Sequence, residues 1–129
     1  MTLQQIAPAR DVAEGCWQIL WQVDNPGDVA LLIVSVHFPH GQFKAAVRHF
    51  TPVLEVAAGA SQRFESVIQC HEPAGLVTEN AFIIFQCQWR GEAWRIFARL
   101  RVDVDAAGAP RTATELITTQ KVGFSGISN

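Results

Sequence analysis

The sequence predicts an all-β fold, an antiparallel two-sheet sandwich of six to seven strands in one domain. Three observations carry this expectation. Residues 80–90 and 94–105 alternate inward apolar and outward polar positions with period two, as strands with one buried face do. Turn-forming clusters such as Asp24-Asn25-Pro26-Gly27-Asp28 and Ala57-Ala58-Gly59-Ala60 separate short β-prone runs. No stretch carries a sustained helical apolar stripe. With 129 residues, 49% of them hydrophobic and 17% charged, the chain can bury one core and is too apolar to be disordered.

Taken in order, residues 1–13 read as an N-terminal arm, either loose or a short edge strand, with Pro8 arguing against a central strand there. Residues 14–124 read as the domain and 125–129 as a disordered tail. Along Gly15–Val23, Trp17, Ile19, Trp21 and Val23 share a face, with Gln18 and Gln22 opposite. The turn at 24–28 leads into Val29–Phe38, an almost continuous apolar run suited to a strand covered on both sides. Pro39-His40-Gly41 ends it. Two short extended pieces follow, Phe43–Phe50, where a helical turn is the alternative, and Pro52–Val56, and then a strand over Ser61–Cys70. His71–Gly75 is a loop, and Arg111–Phe124 is open between an added edge strand, through Leu116, Ile117 and Val122, and a segment outside the sheets.

The hairpin of 80–105 organises the rest. Gly91-Glu92 fits a two-residue II′ loop, which sets Trp89 against Trp94, Cys87 against Ile96, Phe85 against Ala98 and Ile83 against Leu100. These inner pairs are expected at non-hydrogen-bonded sites. The outer face then pairs Gln88 with Arg95, Gln86 with Phe97, Ile84 with Arg99 and Phe82 with Arg101. Three large apolar groups, Phe82, Ile84 and Phe97, therefore stand on the solvent side beside Arg95, Arg99 and Arg101. Either a neighbouring loop or the C-terminal tail covers them, or they meet another protein or a second copy of the chain.

The formal net charge of −2 lacks the basic field that nucleic-acid or anionic-membrane binding needs. The first ten residues lack a signal-peptide pattern, and no stretch approaches the roughly 20 apolar residues of a membrane span. Cys16, Cys70 and Cys87 form no framework, so the reading is of free thiols in a reducing cytoplasm.

The strand ending in Asp24-Asn25-Pro26-Gly27, the apolar strand after it, and Leu54-Glu55-Val56-Ala57-Ala58-Gly59-Ala60-Ser61 leading into Arg63-Phe64-Glu65 resemble bacterial immunoglobulin-like or fibronectin-III-like modules. The resemblance covers about residues 14–105. It implies a binding or structural role and brings no catalytic residues. Such modules can carry an inter-sheet bridge, for which Cys16 and Cys87 have a suitable separation, but Cys16 falls on the face opposite Trp17, Ile19 and Trp21. The chain has no tyrosine and hence no tyrosine corner.

Chemistry-bearing constellations are few. His37, His40 and His71, with His49, Cys70 and Glu72, are the candidate metal ligands, and 37–40 and 70–72 each close a strand. Their spacing matches no zinc signature, and loop histidines are commonly solvated. Ser125 in Gly123-Phe124-Ser125-Gly126 lacks the second spacer of a nucleophile elbow. Cys70 and His71 are strand neighbours that point to opposite faces. Trp17, Trp21, Trp89 and Trp94 fall on inward faces, as core residues. The expected function is a non-catalytic interaction or self-association module without cofactor, using Phe82, Ile84, Arg95, Phe97, Arg99 and Arg101. The other reading is a small metal-dependent protein with histidines at one pole.

Overall fold

A computed structural model describes residues 1–122 and is all-β. Nine strands form: β1 Thr2–Gln5, β2 Arg10–Ala13, β3 Cys16–Asp24, β4 Leu31–His40, β5 Phe43–Val56, β6 Ser61–Gln69, β7 Val77–Trp89, β8 Glu92–Val104 and β9 Pro110–Lys121. Hydrogen bonding joins them in the order β1-β3-β6-β5-β4-β7-β8-β9, with β2 also on β3. Six to seven strands in two separate sheets were expected; one curled sheet of nine, closed almost to a barrel, is found.

Two seams explain the difference. β5 and β6 share a single bridge, Lys44 with Gln69, and then diverge. The gap beyond is crossed by the Arg48 guanidinium, which donates to the Glu65 carbonyl. At the other seam β1 meets β9 through side chains. Gln5 Oε1 accepts from both the backbone N–H and the hydroxyl of Thr112, each at 2.9 Å, and Thr114 Oγ1 donates to the Leu3 carbonyl at 2.8 Å. In the first thirteen residues β1 and β2 pair with β3, and Leu3 is in the core. Pro8 lies between the two short strands, where it costs no ladder bond.

Alternation dictates the interior. Ile19, Trp21 and Val23 of β3, Ile33, Val36 and Phe38 of β4, and Ile83, Phe85, Ile96, Ala98 and Leu100 of the hairpin are all buried. Trp21, Phe38 and Phe43 form an aromatic cluster with ring centroids 6.0–6.4 Å apart. Each such side chain contributes about 1.5–3 kcal/mol by leaving water. Trp21 Nε1 donates to Ser66 Oγ at 2.7 Å, so its polar edge is satisfied inside the core. Trp17, Trp89 and Trp94 are half-buried.

The turn at 24–28 is built around Asn25, which is buried. Its amide nitrogen donates to the carbonyls of Val29 at 2.9 Å and Val56 at 3.0 Å, and its Oδ1 accepts from the Gly27 N–H at 3.1 Å. This fastens the β3–β4 turn to the end of β5. The two short pieces expected at 43–50 and 52–56 are one 14-residue strand. Opposite Val34 and His37 its pairing with β4 slips, with the extra residues on the β5 side.

The β7–β8 connection also differs from expectation. Trp89 pairs with Glu92, so the loop is Arg90-Gly91, with φ of 52° and 75°. Two left-handed residues make a type I′ turn, whose twist matches that of the strands. Arg90 tolerates this conformation with its guanidinium 4.8 Å from the Trp89 ring centroid and 3.1 Å from Asp28. The register moves by two residues, to Cys87–Trp94, Phe85–Ile96, Ile83–Ala98 and Ala81–Leu100. A shift of two leaves every side chain on its expected face. It also places the inner pairs at hydrogen-bonded sites and the outer pairs at the closer, non-bonded ones. The expected tail, 125–129, and the last residues expected for the domain lie outside the described residues, as does Ser125.

Candidate interaction face on the outer side of the hairpin

The new register regroups the outer face. Ile84 pairs with Phe97, Phe82 with Arg99 and Gln86 with Arg95. Arg101 is displaced from Phe82 and instead lies 3.5 Å from Asp103. Ile84 and Phe97 are half-buried by each other and their neighbours, while Phe82 remains 38% exposed. A bulge in β7 between Thr78 and Ala81, where Asn80 takes φ of 58°, ends the regular face beyond Phe82.

The flanking strands widen this surface. β9 lies edge-on beside β8 rather than across the hairpin, and sets Leu116 against Arg99 and Thr118 against Phe97. Leu116 is 45% exposed. On the other side β4 sets His37 against Ile84. The face thus carries a continuous band of Ile84, Phe97, Phe82 and Leu116, threaded by Arg95 and Arg99. Sequence reasoning missed Leu116. An extra residue at 115 in β9, between the pairs Leu100–Thr114 and Arg99–Leu116, turns it outward, and nothing in the local pattern announces that bulge. No described element covers the band.

Among the described residues, Arg95 and Arg99 form no ion pair. Arg99 Nε is buried and has no hydrogen-bond partner, so its stem lies along apolar surface while the guanidinium end serves as the polar edge of the band. An unpaired guanidinium beside the exposed Phe82 ring suits a planar acceptor such as a carboxylate or backbone carbonyl.

The histidines are dispersed. The β4–β5 turn and the loop after β6 do share a pole, since Gln42 Nε2 donates to Glu72 Oε1 at 3.2 Å. His40 Nδ1, however, accepts from the Gln42 N–H at 3.1 Å, and His37 is on the outer face of β4. His71 packs on Gly15, where a Cβ would fall 1.8 Å from its ring. No group of three or more His, Cys, Asp or Glu side chains converges among the described residues.

The thiols are free, with Cys70 and Cys87 buried and Cys16 half-buried. Burial pushes the Cys87 thiol up to about 12 and raises Cys70 as well, which keeps both protonated and poor nucleophiles. Among the described residues there is no helix long and apolar enough to cross a membrane. No family model, curated protein or solved structure matches this chain.

Proposed function

We propose that this protein is a non-catalytic interaction module that binds another protein through the outer face of the 77–104 hairpin. The observation that carries the reading is the Ile84–Phe97 pair, extended by Phe82 and Leu116 and left uncovered by every described element. Desolvated aromatic and aliphatic anchors with arginines at their margin have the composition of the energetic centre of protein interfaces. Phe82, Ile84 and Phe97 act as anchors, Arg95 and Arg99 orient the partner, and Arg101 lies at the rim.

The immunoglobulin-like reading supports a binding role. Let β1 and β3–β8 stand for seven consecutive strands A to G. The observed order then becomes A-B-E-D-C-F-G, in which A-B-E and C-F-G are neighbours as in the immunoglobulin plan, while D pairs along C and is bridged to E only once. β2 and β9 are additions to that plan. The free cysteines accord with a reducing compartment such as the cytoplasm.

The test is site-specific photo-crosslinking in cells that express the protein, with the reactive group at position 97 and, as a control, at Val67, an exposed apolar residue on β6. A discrete adduct is expected at 97 and lost in the Arg99→Glu background. Equal adducts at 97 and 67, or none at 97, would remove the hairpin face as the binding surface.

A further inference from the structure

β9 changes character at its bulge. Before it, the edge is sealed: Pro110 offers no N–H, and Gln5 binds the Pro110 carbonyl and Thr112. After it, β1 has ended and the stretch Leu116-Ile117-Thr118-Thr119-Gln120 contains neither charge nor proline. The bond from Val122 N–H to the Ala93 carbonyl, 2.8 Å, fixes which residues face β8. Even-numbered positions from 116 to 122 turn their backbone groups to β8, so those of Ile117, Thr119 and Lys121 point to the open edge. No described residue bonds them there. The free edge at β2 is different: it is short and bulged, and carries Arg10 and Asp11.

We infer that two copies of the chain pair antiparallel along this half of β9, about a two-fold axis at Thr118. In that register Ile117 of each copy exchanges both backbone bonds with Thr119 of the other. Glu115 stands opposite Lys121 in both halves of the interface, and the stretch is thereby complementary to itself in charge as well as in hydrogen bonding. Lys121 reaches Glu92 at 2.6 Å yet keeps half its side chain exposed, so it can serve both carboxylates.

The inner face fits the same register. Thr119 lines a cavity of about 290 Å³ together with Leu31, Trp89, Trp94 and Ile96. The side chain placed beside Thr119 is Ile117 of the second copy, half-buried against its own core, so its free part extends the apolar rim of this recess. Backbone pairing at an edge, with a side chain filling an adjacent pocket, is the logic of strand addition. The pairing leaves the hairpin face uncovered on both copies and is independent of the function proposed for it.

The experiment is sedimentation equilibrium of the full chain over a wide concentration range. Wild type should rise from the 14.2 kDa chain mass toward twice that value. Thr119→Pro removes an edge-facing N–H and no β8–β9 ladder bond, and should stay monomeric with an unchanged circular dichroism spectrum. Glu115→Lys and Lys121→Glu should each weaken dimerisation about fivefold or more through two like-charge contacts, and the double exchange should recover it. A wild type monomeric throughout, a dimer that survives Thr119→Pro, or one dissolved by Phe97→Glu but not by the charge reversals would overturn the inference.

Discussion

Ile84 and Phe85 are adjacent in β7 and meet different surroundings. Phe85 is completely buried, its ring edge-on to Phe64 at 6.0 Å, inside a core drawn from most strands of the barrel. Ile84 points the other way, into a band bounded by Phe97, His37 and the arginines of β8. The same two strands therefore bury apolar side chains on one face and display them on the other. Large apolar groups on the inner face are explained by folding, whereas those on the outer face are buried only in part, and contact with a partner is the role proposed for them.

The largest effect is expected at Phe85. Truncation to alanine should leave a cavity in the core and cost about 3–5 kcal/mol, read as a large drop in the urea unfolding midpoint. Cys87 reports the burial of the inner face chemically. Because its thiol is buried and protonated, alkylation should proceed only through unfolding, slower than at Cys16 by a factor on the order of 10³ or more. Mass spectrometry of partially modified protein gives the order of labelling.

A smaller effect concerns the carboxylate that ties the strands of the inner scaffold. Asp24 accepts hydrogen bonds from Ser61 on β6, from Thr2 on β1 at 2.8 Å and from Gln22 at 3.0 Å, and these hold it below its ordinary value of 3.8. Its folded-state value is depressed, so its contribution to stability is full above the unfolded value and fades as pH falls through the folded one. Asp24→Asn should flatten the loss of thermal stability below about pH 4 while leaving the outer face unaffected.

Much of this division was legible in the residues. Period two assigned every hairpin side chain to its correct face, and it did so although the turn was misplaced, because the error in register was an even number. The turn itself was hidden by Arg90, a residue type outside the usual Asn, Asp and Gly signature of a left-handed position; its partners Asp28 and Trp89 become evident only in the folded chain. Closure of the barrel was equally hidden. Gln5 and Thr112 lie at opposite ends of the sequence, and no local pattern records that their side chains replace a backbone ladder. An edge strand over 111–124 was one of two readings, but the bulge at Glu115, which brings Leu116 to the apolar band, has no sequence signal of its own. The histidine pole shows the converse. A shared pole was the condition for a site; the two loops do meet, yet His71 turns to Gly15 and His37 to the hairpin face.

The measurement that bears most directly on the division between the faces is urea unfolding of Phe97→Glu. A carboxylate at this position meets solvent and the neighbouring Arg95 and Arg99, so the unfolding free energy should stay within about 1 kcal/mol of wild type. A loss approaching that of Phe85→Ala, about 3 kcal/mol or more, would mean that Phe97 is buried under another part of the chain, and that the outer face belongs to the core rather than to a partner.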